Sequence, residues 1–199
     1  MAPIATQGRL ARRHGSEGQG VPAATSPKGN RSWAAKPVEE DHVVRHNVQT
    51  IVRLHKLSRW LLDQHLALPS RLVERFIRLV YAARIPAEAD IDSTVHFSHN
   101  ALAVVVTKKA SIGPRCQIGL QVLLGSRWPF EGGPRLEEDV IVHSGAKVIG
   151  PVTVGRGSVI GANAVVLADV PPQSLVVGVP GVIKKAGIRI EDYVPSSDD

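Results

Sequence analysis

The chain has 199 residues, 4% aromatic side chains, one cysteine and a formal net charge of +6. That length holds one ordinary core with appendages rather than two full domains. The lone Cys116 excludes an intramolecular disulfide and fits a reducing, cytoplasmic setting, and no apolar run reaches the ~20 residues that span a bilayer. About +5 of the charge sits in residues 1–37, so the basic balance belongs to a tail and gives no ground for a nucleic-acid partner.

Residues 1–40 are rich in Gly, Pro and Ser and offer too little apolar surface to offset ordering entropy, which predicts a disordered basic tail. Its opening, MAPIATQGRLARRHG, lacks the apolar stretch of a signal peptide. An Arg-rich, acid-poor leader also suits an organellar transit peptide, but no sustained amphipathic helix is written there.

A helical segment is expected over 41–84. Val48, Ile51, Leu54, Leu57 and Leu61 recur at helical spacing, and Pro69 is expected to close that run. Leu72, Phe76, Ile77, Leu79 and Val80 supply the apolar side of a second helix, with Arg71, Arg75 and Arg78 along another face. Such a stripe suits a solvated helix face, and it is also what anionic lipid or a polyanion would meet.

From Ile85 the period becomes six. Ile85, Ile91 and Phe97 form one run; Val106, Ile112, Ile118 and Leu124 a second; Leu136, Val142, Val148, Val154, Ile160 and Val166 a third. Four residues after each comes a small or β-branched side chain, from Ala89 to Val170, and only Trp128 departs. Strands alternate with period two and helices with 3.6, so neither sustains this count. Short strands joined by turns, one per side of a triangular coil, do sustain it, and stacked coils bury one another's interiors. Gly113, Gly119, Gly155 and Gly161 directly follow large positions and suit tight or unusual backbone geometry. These patterns predict a mainly β coil over 85–171, a loop at 126–135, and a C-terminal tail over 172–199. Between Phe97 and Val106 the count slips by three residues, just after His99.

LHKLSRWL (54–61), FSHNALAVVV with its slip, LLGSRW, HSGAKVIGPVTVGRGSVIGANAVVLADVPP and VVGVPGVIKK together resemble the hexapeptide-repeat acyltransferases, and within them the serine O-acetyltransferases. The resemblance covers about residues 48 to 185 and is most specific in the C-terminal half. It implies a left-handed parallel β-helix, usually a homotrimer with sites between adjacent coils, and a place in cysteine biosynthesis. It also implies direct transfer of an acetyl group from acetyl-CoA to a hydroxyl of L-serine or a related small acceptor, without a metal. His99 falls at the position of the general base, which takes the hydroxyl proton as oxygen attacks the thioester. Backbone N–H groups would stabilise the oxyanion. As structure alone, His99 would be a polar side chain at a turn.

For CoA, the resemblance implies contacts at Gly125, Ser126, Ser144, Gly145 and Ala162, with Lys147 and Lys184 toward the phosphates. Small residues are equally what coil corners need, and exposed lysines commonly serve solubility. On the acceptor side the sequence departs twice. The acid that pairs with the base is replaced by Arg84, with Asp90 and Asp92 nearby but out of register. The Arg-His-Pro of the substrate loop is replaced by RWPFEGGPR, leaving Arg127 or Arg135 for cationic recognition. Trp128 and Phe130 suit stacking on a sugar or anchoring of the loop, and His143 replaces a usual glycine as a polar cleft residue or a surface turn. Asp92, Arg127, Trp128, Arg135 and His143 are therefore the acceptor-side candidates. The departures keep open an acetyltransferase acting on a saccharide or cell-surface glycan precursor, and a degenerate coil that serves as a scaffold or CoA-binding partner. A zinc hydratase on the same coil needs three ligating histidines, and His96, His99 and His143 lack that spacing.

Overall fold

The computed structural model of the protein describes residues 49–193; the tail expected over 1–40, and Val48, lie outside them. Two helices come first, α1 (Thr50–Asp63) and α2 (Ala67–Tyr81). His65, in the left-handed region at φ 61°, ends α1. Its N–H donates to the Leu62 carbonyl at 2.9 Å, and the Leu66 N–H donates to the Leu61 carbonyl at 2.9 Å, the two bonds of a Schellman stop. Pro69 therefore does not close the first helix as its position suggested. It sits in the first turn of α2, where its missing N–H has no intrahelical partner to lose.

The helices meet at two serines. Ser58 Oγ donates to the Ser70 carbonyl at 3.1 Å, and Ser70 Oγ returns a bond to the Ser58 carbonyl at 2.8 Å. Side chains this small let the backbones approach, and the close approach decides which faces are covered. Ile51, Val52, His55 and Ser58 of α1, with Ser70 and Ile77 of α2, are buried. Of the apolar side anticipated for α2, only Ile77 is inside, while Leu72, Phe76, Leu79 and Val80 stand exposed. Leu57 of α1 is exposed as well.

The remaining chain winds into a parallel coil with three faces. The first face stacks β1 (Asp90–Ile91), β4 (Ser111–Ile112), β7 (Arg135–Leu136) and β10 (Thr153–Val154). The second stacks β2 (His96–Phe97), β5 (Gln117–Ile118), β8 (Ile141–Val142), β11 (Val159–Ile160) and β13 (Ser174–Val177), closed by antiparallel β14 (Val182–Ala186). The third stacks β3 (Val105–Val106), β6 (Leu123–Gly125), β9 (Lys147–Ile149) and β12 (Val165–Val166). Equivalent hexad positions pair directly, Ile112 with Leu136 and Ile118 with Val142. Every large position of the sequence pattern is buried, and so is every small one; Trp128, at the loop, shares their sequence register but is 92% exposed. The buried Ser158 is satisfied, its Oγ donating to the Pro171 carbonyl and accepting from the Ser174 N–H.

Gly119 shows why glycine follows a large position. A Cβ there would lie 2.5 Å from the Ser144 nitrogen of the next coil. The need is close approach, not a left-handed backbone, which at the corners is carried by Arg115, Gln121, Asp139 and Asn163.

The segments that flank the coil pack against it. At the start, the Gln49 side-chain amide stands in for a missing strand beside β2: Phe97 N–H donates to Gln49 Oε1 at 2.8 Å, and Gln49 Nε2 donates to the Phe97 carbonyl at 3.0 Å. Arg59 of α1 donates to the Ala89 carbonyl at 2.9 Å. At the far end, Ile188 with Ile190 and Tyr193 packs over Ile141 and Val159 on the outside of the second face.

Candidate active site

The three extra residues of the slip fold into one left-handed turn at the corner between the second and third faces. His99 (φ 51°, ψ 40°), Asn100 (φ 54°, ψ 36°) and Ala101 (φ 59°) are all left-handed. The turn is closed by Leu102 N–H to the His99 carbonyl at 3.2 Å and Val104 N–H to the Ala101 carbonyl at 3.0 Å. Ala101 points into the coil and is fully buried, which keeps the sixfold packing unbroken and pushes His99 and Asn100 outward. Each non-glycine residue so placed costs roughly 1–2 kcal/mol. Three in a row persist only because the surrounding coil over-determines them, and strain of this kind collects at functional positions. Among the described residues no side chain hydrogen-bonds the His99 imidazole.

Below His99 on the same edge lie His143, Ser144 and Gly145, and one coil further Ala162. The stacking is direct: Gly145 N–H donates to the Leu120 carbonyl at 2.9 Å, and Asn163 N–H to the Ser144 carbonyl at 3.1 Å. Gly145 is left-handed at φ 75°. Lys147 turns back to this edge and its Nζ donates to the Gly145 carbonyl at 3.0 Å. His143 is half-buried, and desolvation holds its pKa below the ordinary imidazole value. The edge thus combines one displayed imidazole, a second whose charged form burial disfavours, small side chains and a lysine.

Gly125 and Ser126 lie across the third face at its other edge. There Arg84, Val105, Thr107, Lys108, Leu123 and Ser126 line a groove of ≈ 360 Å³. Arg84 enters this face through backbone bonds, its N–H to the Val104 carbonyl and the Val106 N–H to its own carbonyl, both 2.8 Å. Ser126 Oγ and Thr107 Oγ1 are 2.9 Å apart. The loop begins here. The Arg127 guanidinium lies 5.4 Å from the Phe130 ring centre, and Trp128 projects beside it. Sequence reasoning passed over Thr107, Lys108 and Lys109; the TKK directly after the slip was the available signal.

Three candidates stand apart from this face. Asp92 sits at the corner between the first and second faces. Its Oδ1 accepts from both the N–H and the Oγ1 of Thr94, and these bonds lower its pKa. Arg135 faces outward on β7, and Lys184 is exposed on β14. Within one chain none of the three joins His99.

Comparisons with known proteins agree with this geometry. Residues 133–168 match the bacterial transferase hexapeptide family (six repeats). The chain is 36% identical over 140 residues to the serine acetyltransferase of Synechococcus elongatus, an alignment covering 69% of this chain and 57% of that protein. Among solved structures, soybean serine acetyltransferase complexed with serine superposes with a TM-score of 0.64 at 31% identity, over 67% of this chain and 55% of that one. A serine acetyltransferase in complex with CoA gives a TM-score of 0.62 at 28% identity, over 67% of this chain and 55% of that one. The chain therefore spans little more than half the length of these relatives.

Proposed function

Because the chain is a hexapeptide-repeat protein whose coil is related to those of serine acetyltransferases, we propose that it transfers an acetyl group from acetyl-CoA directly to a hydroxyl, with L-serine or a related small molecule as acceptor. The observation that carries this reading is the left-handed turn that displays His99 at the head of an edge of small residues. A neutral imidazole there takes the hydroxyl proton as the oxygen attacks the thioester carbonyl. The tetrahedral intermediate then collapses, the carbon–sulfur bond breaks, and the same proton passes to the departing thiolate. Backbone N–H groups supply the oxyanion contacts. Ser144, Gly145 and Ala162 leave room for the pantetheine arm of CoA, with Lys147 beside it, and Gly125, Ser126 and Lys184 are further contacts of the donor. Support for the donor comes from the relative solved with CoA, and support for the acceptor from the relative solved with serine.

A site completed by a second copy follows from the same reading. Leu102, which closes the His99 turn, and Val105, on the third face beside it, are exposed apolar residues. A homotrimer in the cytoplasm, with its sites between coils, would cover them and would bring residues such as Asp92 of one copy toward His99 of another.

Arg84 in place of an acid and the exposed Trp128 favour a second reading, in which a saccharide hydroxyl is the acceptor and the indole stacks on the sugar face. Purified protein with acetyl-CoA and a panel of L-serine, homoserine and amino sugars, followed by thiol release, separates the two. Serine-dependent release supports the first reading. Release with sugars alone, weakened by Trp128→Ala through a raised KM, supports the second. CoA binding without turnover on any acceptor, and unchanged in His99→Ala, would leave a scaffold.

A further inference from the structure

We propose that the outward face of the helical hairpin docks on an anionic membrane surface. Leu68, Leu72, Phe76 and Leu79 of α2 are spaced by four, four and three residues, which puts them on one stripe of the helix. The stripe is uncovered: Leu68 is 74%, Leu72 63% and Leu79 85% exposed. Trp60 of α1 is exposed as well. Arg71, Arg75 and Arg78 immediately precede Leu72, Phe76 and Leu79, so a row of guanidinium groups runs alongside the apolar row. Among the described residues no carboxylate lies within ion-pair distance of any of the three, although the Arg71 charge helps to lower the pKa of Glu88, which itself pairs with Lys108. The one carboxylate of α2, Glu74, is occupied on the coil side, where its Oε1 accepts the Ala87 N–H at 2.7 Å.

An apolar row edged by arginines is the surface of a helix that lies in a lipid interface, with leucines among the acyl chains and cations at anionic headgroups. Charge selects this occupant over the others. A second copy of the hairpin would bring a second arginine row and no free α2 carboxylate to the same seam. A soluble polyanion would satisfy the arginines and leave the leucines in water. No helix among the described residues is long and apolar enough to cross a membrane, so the contact is with the surface.

The test is flotation of the full-length protein with vesicles of phosphatidylcholine, with and without phosphatidylglycerol, at low and raised salt. The protein is expected to float only with the anionic vesicles and to be released by salt. Each arginine near an anionic surface contributes roughly fivefold to partitioning, so Arg71→Gln/Arg75→Gln/Arg78→Gln should weaken binding about 100-fold. Leu72→Ser/Leu79→Ser should abolish flotation while circular dichroism and thermal unfolding stay unchanged; the arginine variant keeps the test valid should the serine variant unfold. Absence of flotation, equal flotation on neutral vesicles, or binding that survives both variants through another segment such as the basic tail would overturn the proposal. So would light scattering that finds the serine variant merely losing self-association.

Discussion

His55 makes the fold sensitive to acid through a single side chain. It is buried on α1, and desolvation, helped by the charges of Lys56 and Arg59, pushes its pKa down to about 4. In the unfolded chain an imidazole titrates near 6.5, so between those two values the unfolded state holds the extra proton and folding loses stability as pH falls. Complete titration across that window removes about 3 kcal/mol. Urea melts from pH 7 to pH 4 should show this decline, and His55→Leu should flatten it; a wild-type profile without the decline would contradict the assignment. At this scale legibility was uneven. The irregular turn at His99 could be read because the slip marked it. His55 could not, because a histidine in a helical sequence carries no sign of whether the coil beneath will bury it.

Among the elements, the corners and interior strands hold the coil by close contact, and substitutions there have calculable costs. Ile118 is fully buried in β5 between β2 and β8. Ile118→Ala should cost roughly 2–5 kcal/mol through lost burial and a retained cavity, measured as a lower urea midpoint. Gly119→Ala adds one carbon where only 2.5 Å separates it from the Ser144 nitrogen, and the backbone of the next coil must shift. Overpacking of that kind costs about 1–3 kcal/mol, and because Ser144 lies on the edge proposed to hold the donor, a raised KM for acetyl-CoA should accompany it. A Gly119→Ala protein as stable as the parent would contradict the close-approach account. The strands were legible because a sixfold repeat has few structural solutions. Helix α2 was not, because it carries two apolar sides. The serines that choose between them, Ser58 and Ser70, act through backbone approach rather than hydrophobicity.

For the whole molecule, the coil is a frame that holds one strained turn beside a third face whose two edges carry most of the candidate residues. What the single chain leaves apart, Asp92, Arg135 and Lys184, no reading of spacing along one coil could have joined, since assembly is not written in a repeat. Size-exclusion chromatography with light scattering should give roughly 64 kDa, three times the 21.3 kDa chain; a monomer would contradict the proposal of a site shared between copies. The most direct test of the central claim is thiol release from acetyl-CoA in the presence of L-serine and the small-hydroxyl panel, measured for the parent protein and for His99→Ala. The account predicts acceptor-dependent release that falls about 10²–10⁴-fold in the variant while its melting temperature is kept. Equal rates in the two proteins would contradict it.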